Sequence, residues 1–239
     1  MKLSSYAFTA IGGREENQDS FGYEEIDNLA IYIVADGLGG LQDGKEASSF
    51  VTDYLLDCWR NAKPEDLQSW LEQSVSDANQ KLVQLKSEKD STMKTTVVVL
   101  LIDGDKACWA HTGDTRLYRF SDSRLVHYTN DHSAAYLKYK MGDISRTQIN
   151  FDKDQNKLLK SLGGTQHWEP EVNSCTLKSG DGFFLCTDGM WELVYDDELL
   201  VDWLKAADAK EWAERSMQRA IARIGSNNDN LTLISVMFE

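Results

Sequence analysis

The stretch TTVVVLLIDGDKACWAHTGDTRLYRFSDSRLVHYT, residues 95–129, holds four apolar runs separated by only a few turn residues each. Asp103-Gly104-Asp105-Lys106 divides the first two runs, and Ser121-Asp122-Ser123 divides the last two. Connections this short join antiparallel neighbours, because a parallel pair needs a crossover of about a dozen residues or more. The stretch therefore predicts an antiparallel meander and excludes a Rossmann-type sheet.

Working outward, Leu29–Val34 reads as a buried strand that ends on the turn Asp36-Gly37-Leu38-Gly39-Gly40. Beyond it the period changes: Ala47, Phe50, Val51, Tyr54, Leu55 and Cys58 recur at helical spacing. A second helix is signalled by Pro64, Glu65 and Asp66, with a stripe through Leu67, Trp70, Leu71, Val75, Ala78 and Leu82. Downstream, residues 133–164 are polar and mixed, which predicts a short helix at each end with an excursion between. Strand patterns resume at VNSCTL (172–177) and FFLCT (183–187), helical ones follow over 196–207 and 209–224, and LTLISVMF (231–238) predicts a last strand. Strands, then helices, then strands again indicate an α+β domain of antiparallel sheets with helices packed outside.

The bulk numbers agree with one domain. The 239 residues are 41% hydrophobic, enough for a sizeable core, and no Gly/Ser-rich or single-charge stretch divides them. A net charge of −14 without a basic stripe argues against nucleic acid or an anionic membrane as partner. The longest apolar run, VVVLLI, is too short to span a bilayer, and no signal sequence opens the chain, so a cytoplasmic location is expected. Four cysteines without CxxC spacing read as free thiols, not a zinc site.

Aspartates at strand ends carry the chemistry. Asp103-Gly104 and Asp181-Gly182 lie between strand patterns and read as hairpin turns. Asp36-Gly37 and Asp188-Gly189 differ, because a loop or helix follows each. With Asp229 before the last strand and Asp114 between strands, four carboxylates stand where one end of a sheet system can gather them. Carboxylates gathered in that way repel unless cations neutralise them, and hard oxygen donors suit Mg²⁺ or Mn²⁺. An EF-hand is excluded at Asp152, since Lys157 occupies the loop's glycine position and Gly163 its glutamate position.

The motifs REENQDS (14–20), VADGLGG (34–40), KTTVVV (94–99), HTGDTRLYR (111–119), NDHS (130–133), LCTDGM (185–190) and NDNLTLI (228–234) occur in an order that resembles the metal-dependent serine/threonine phosphatases. This is the PPM or type-2C family, in its compact bacterial form. The resemblance implies a sandwich of two antiparallel sheets flanked by helices, four layers in all, formed by a single catalytic domain over 1–239. It also implies a small flap over about 135–160, where substrate selection is expected.

By the same resemblance, Asp36 bridges two Mn²⁺ or Mg²⁺ ions, Asp188 and Asp229 complete the first ion's shell, and the Gly37 carbonyl helps hold the second. Asp114 would share a weaker third ion with Asp188. Asp19 would bind metal waters, Asn230 would order the Asp229 loop, and Arg14 would clamp phosphate through its guanidinium fork. The implied reaction is hydrolysis of phosphoserine and phosphothreonine in proteins by a hydroxide shared between two cations. Leu38 replaces a histidine of many eukaryotic relatives, which leaves a metal-bound water as the proton donor. His111 and His132 read as structural. The expected partners are phosphoproteins and a cognate bacterial-type serine/threonine kinase, with the chain a monomer. Two other readings remain: a non-catalytic phosphoprotein-binding or scaffolding relative, and a small-molecule phosphomonoesterase.

Overall fold

The computed structural model describes residues 2–61, 64–164 and 169–238. Along the chain run β1 (Leu3–Ala10), β2 (Asp19–Ile26) and β3 (Leu29–Leu38), then two long helices, α1 (Leu41–Asn61) and α2 (Leu67–Lys89). β4 (Lys94–Thr95), β5 (Val97–Asp103), β6 (Lys106–Thr112), β7 (Arg116–Ser121) and β8 (Arg124–Tyr128) follow. The flap region holds α3 (Ala134–Met141) and a 3₁₀ turn at Arg146–Phe151. After it come β9 (Glu171–Thr176), β10 (Gly182–Cys186), α4 (Asp188–Trp191), α5 (Asp196–Lys205), α6 (Ala209–Arg223) and β11 (Leu231–Phe238).

The strands form two antiparallel sheets, one in the order β1-β11-β10-β7-β8 and one in the order β2-β3-β5-β6-β9 with β4 paired to β3. The strand alternation explains the unbroken apolar runs. Along β3, Ile31, Ile33 and Ala35 face α1 and α2, while Ala30, Tyr32 and Val34 face the other sheet. β10 does the same on the opposite side: Phe183 and Leu185 enter the core between the sheets, and Phe184 and Cys186 pack with Trp203 and Trp212 from α5 and α6. A strand buried on both faces has no place for polar side chains, so it reads as continuous hydrophobic sequence. Each large side chain so buried stabilises the fold by about 1.5–3 kcal/mol. The result is four layers, helices outside and two sheets within.

Three expectations need correction. Residues 95–129 make two hairpins, not one meander: β5–β6 belongs to one sheet and β7–β8 to the other, and Gly113-Asp114-Thr115 crosses between them. Turn length fixes the direction of neighbouring strands but not the sheet they join. Asp181-Gly182 likewise lies on a crossing between sheets, from β9 to β10, and not in a hairpin. The second flap helix does not form. Its backbone groups are used elsewhere: Lys157 O accepts from Ala134 N, Leu159 N donates to His132 O, and Leu162 exchanges bonds with Thr95. β1 and β2 escaped the hydrophobic reading because both are largely polar or half-buried along their length.

The four cysteines are free. Among the described residues no helix is long and apolar enough to cross a membrane.

Candidate active site

The register of the sheets brings one end of every central strand to the same edge of the sandwich. Asp36 sits near the end of β3, opposite Asp19 on β2. The paired threonines next to β5 hold Asp36 by its backbone. Its N–H donates to Thr96 Oγ1 at 3.1 Å, and its carbonyl accepts from Thr96 N at 2.9 Å and Thr95 Oγ1 at 2.7 Å. Gly37 N donates to Gln18 O, and a Cβ on Gly37 would lie 2.0 Å from Gly44 O, so only glycine fits.

Asp188 follows β10 at the first position of α4. Thr187, just before it, donates its hydroxyl to Asp19 Oδ2 at 2.8 Å and receives Thr232 N at 3.1 Å. Asp229 precedes β11, and Arg14 Nη2 donates to its Oδ2 at 2.6 Å. Asn230 staples this corner together: its Nδ2 donates to Ile11 O and Glu16 O, and its Oδ1 accepts from Gln18 N. It thereby orders the loop that carries Arg14 as well as the Asp229 turn.

Asp114 stands on the crossing from β6 to β7. Gly113 has φ +99°, a left-handed conformation, and its Cβ position is occupied by Thr96. Trp191 Nε1 donates to Asp114 O at 2.9 Å, which ties α4 to this crossing. Arg116 lies 3.5 Å above the Trp191 ring and makes a two-pronged buried ion pair with Asp131, at 2.7 and 2.6 Å. The stack of Arg116 on Trp191 fixes the distance between the Asp114 and Asp188 segments.

Arg14, Asp36, Gly37, Asp114, Asp188, Asp229 and Asn230 all line one cavity of about 430 Å³. Asp19 lies behind this wall, where it lines a neighbouring cavity with Lys45. Glu15, Glu16 and Gln18 also line the main cavity, as do Asn156 and Leu158 of the flap.

The carboxylates perturb one another strongly. Burial and then the charge of Asp188 push Asp36 well above the usual carboxylate range, and burial and then Asp114 do the same to Asp188. Burial raises Asp19 to about 6 and, with Asp131 adding to it, Asp114 to about 7. Partial burial and then the charge of Asp229 push Glu192 up to about 7 as well. A protein interior cannot ionise so many adjacent carboxylates at neutral pH unaided. Divalent cations would supply the missing charge, and a donor set made of carboxylate and carbonyl oxygens suits Mg²⁺ or Mn²⁺.

Glu192 was missed in the sequence reading. It stands four residues after Asp188 at the C-cap of α4, a spacing that places both on one side of a helical turn. Gln155 of the flap donates to its Oε1 at 2.7 Å, and Asn150 of the flap donates to Trp191 O at 2.8 Å. The flap is thus fastened to the segment that carries Asp188.

A second cluster, His111, His132 and Glu171, has donor atoms within 4.8 Å of one another. Its hydrogen bonds disqualify it. His132 Nδ1 accepts Gly113 N–H, so the neutral ring carries its proton on Nε2, the atom that faces Glu171 at 3.9 Å. Burial holds His132 neutral, down to about 3. A metal ligand needs the opposite arrangement, with the proton on the remote nitrogen. The two histidines are a stacked structural pair, as the sequence suggested.

The family model described as protein phosphatase 2C matches residues 9–224. The serine/threonine phosphatase stp of Listeria welshimeri is 30% identical over 231 residues, covering 93% of this chain and 90% of that one. Serine/threonine phosphatase Stp1 of Staphylococcus aureus superposes with a TM-score of 0.90 at 26% identity, covering 100% of this chain and 96% of the other. The catalytic domain of the serine/threonine protein phosphatase PstP, solved with two manganese ions, gives a TM-score of 0.84 at 27% identity, covering 98% and 97%. The shared architecture and the family match lead to one conclusion: the chain belongs to the protein phosphatase 2C family.

Proposed function

We propose that the chain is one catalytic domain that hydrolyses phosphoserine and phosphothreonine in proteins with the aid of divalent cations. The observation that carries this reading is the meeting of Asp36, Asp114, Asp188 and Asp229, from four separate chain segments, on one cavity wall beside Arg14. Asp36, Asp188, Asp229 and the Gly37 carbonyl would hold two Mn²⁺ or Mg²⁺ ions, and Asp114 with Asp188 a third. Such cations, when bound, activate water and neutralise charge on the phosphoryl oxygens.

The remaining work falls to the chain's own groups. Arg14 is half-exposed at the rim, where its guanidinium can leave Asp229 for two phosphate oxygens. Thr95 and Thr96 keep Asp36 from shifting as charge in the cavity changes, and Asn230 keeps the Arg14 and Asp229 loops in register. Asp19, held by Thr187, orders water behind the wall. Leu38 offers no proton and, among the described residues, no histidine lines the cavity, so water is the proposed proton donor to the leaving serine or threonine oxygen. The flap, about 135–160, closes one side of the mouth through Asn156 and Leu158. A cognate serine/threonine kinase, a monomeric state and a cytoplasmic location complete the proposal.

Retention of every carboxylate weighs against a scaffolding role. Hydrolysis of a phosphothreonine peptide tests the reading: activity should require Mn²⁺ or Mg²⁺, vanish with EDTA and fall in Asp188→Asn. Activity indifferent to both treatments would falsify it. A catalytic efficiency higher on metabolite phosphates than on phosphopeptides would move the substrate to small molecules.

A further inference from the structure

The cavity mouth is electrically lopsided. Beyond the four aspartates, its charged lining among the described residues consists of Arg14, Glu15 and Glu16, all on the loop between β1 and β2. The two flap residues that also line it, Asn156 and Leu158, are neutral. Glu15 is exposed and Glu16 half-buried, and among the described residues neither side chain has an ion pair or a hydrogen bond.

The charges of the cavity under the proposed function do not use these two glutamates. Divalent cations balance the aspartates, and Arg14 meets the phosphate. Glu15 and Glu16 are left as two uncompensated negative charges directly beside the phosphate clamp. An acidic residue next to the phosphorylated side chain is repelled there, and a basic one is attracted. An extended peptide advances about 3.3 Å per residue. A lysine or arginine one or two positions from the phosphoresidue therefore reaches a carboxylate adjacent in sequence to Arg14.

We propose that Glu15 and Glu16 make this chain selective for phosphorylated segments that carry a lysine or arginine within two residues of the phosphoserine or phosphothreonine. The inference rests on the phosphatase reading above and names its substrate class. Exposed ion pairs are individually weak, so the two together give a preference of about 3- to 10-fold in kcat/KM. The preference is screened by salt, since the Debye length shrinks from about 10 Å at 0.1 M to about 3 Å at 1 M.

The test uses the Mn²⁺-loaded chain and three phosphothreonine peptides that differ only in lysine, alanine or glutamate at the two positions on either side of the phosphoresidue. The expected order of kcat/KM is lysine, alanine, glutamate. The spread should collapse in high salt and in the Glu15→Gln/Glu16→Gln double variant, and it should invert in Glu15→Lys/Glu16→Lys. Binding of non-hydrolysable phosphonate versions, followed by fluorescence anisotropy, should show the same order. Equal rates, or a preference for glutamate, in the wild-type chain overturn the inference and leave the phosphatase reading standing. A lysine preference that survives the glutamine variant removes these two residues from the role. Hydrolysis of none of the three peptides overturns both readings.

Discussion

The two ends of the sandwich use the same dipeptide in opposite ways. At one end Asp36-Gly37 and Asp188-Gly189 face the candidate cavity. At the other, Asp103-Gly104 turns β5 into β6, and Asp181-Gly182 carries the chain from β9 to β10. Asp103 is exposed, so water solvates its charge. Asp181 is buried, but Ser121 donates to it at 2.5 Å, Lys178 N at 3.2 Å and Arg119 at 3.2 Å. Asp36 and Asp188 are half-buried on the cavity wall, and among the described residues no basic side chain pairs with either. The far end finishes its electrostatics with water and protein groups, and the near end leaves room for something from outside.

The hairpin glycine and the cavity glycines also differ. A Cβ on Gly104 would meet nothing within 4 Å, whereas on Gly189 it would lie 2.0 Å from Asn230 O. At the near end glycine is required because backbones from different loops touch. At the far end Gly104 only favours its turn, while Gly182 leaves room for the rings of Trp203 and Trp212.

The largest effect should come from exchanging carboxylates between the ends. Asp36→Asn or Asp188→Asn should lower metal-dependent kcat/KM by about 1000-fold or more, while Asp103→Asn should leave it within about twofold. Steady-state kinetics on one phosphopeptide decides the point, and comparable losses at both ends would erase the distinction. Next come the glycines. Gly189→Ala should cost at least about 3 kcal/mol of stability through its clash with Asn230, and Gly104→Ala about 1 kcal/mol through its φ of +60° alone. Urea titrations of the two variants measure the gap.

A change of sign sharpens the contrast further. In the folded metal-free chain, Asp19 titrates at about 6 and Asp114 and Glu192 at about 7, all above the ordinary carboxylate value. Groups raised in this way stabilise fully below about pH 4, and that stability is lost as pH rises through 6 to 7. Metal-stripped protein should therefore melt at a higher temperature near pH 5 than near pH 8, and added Mn²⁺ should recover most of the loss. Asp114→Asn should raise metal-free stability at pH 7 by on the order of 2 kcal/mol, or about 5 °C in Tm. Asp181→Asn should instead lower it, by about 2 kcal/mol, because it strands Arg119 and Ser121. Calorimetry in EDTA reads both signs. The smallest effect belongs to Trp191→Phe, which keeps a ring beneath Arg116 but removes the N–H donated to Asp114 O. Metal affinity should fall by up to about tenfold with about 1 kcal/mol of stability, as isothermal titration would record.

Much of this contrast was legible in the residues. β3, β5, β10 and β11 announce themselves because both faces of each are covered, and Asp36 and Asp188 stood out because no strand returns after them. The sheet that each hairpin joins was not legible. Turn chemistry is local, whereas the crossing at Asp114 depends on packing between distant strands. β1 and β2 were hidden by polar, half-buried sequences such as DSFGYEEI, and the end of the flap by backbone bonds to residues far away in the chain. Glu192 went unnoticed because its neighbours Asp229 and Asp114 reach it only through the fold. Asp19 entered only through family resemblance, since nothing in its local sequence separates it from a surface aspartate.

β11 comes last among the described elements, yet it lies between β1 and β10 in its sheet, and β1 has no other strand partner there. Thr9 and Thr232, bonded to each other, are 223 positions apart. During synthesis on a ribosome the first strand must therefore wait, unpaired, for nearly the whole chain to emerge. Asp229, a proposed cation ligand, arrives with the same late segment, so the candidate site is completed only when this last strand docks.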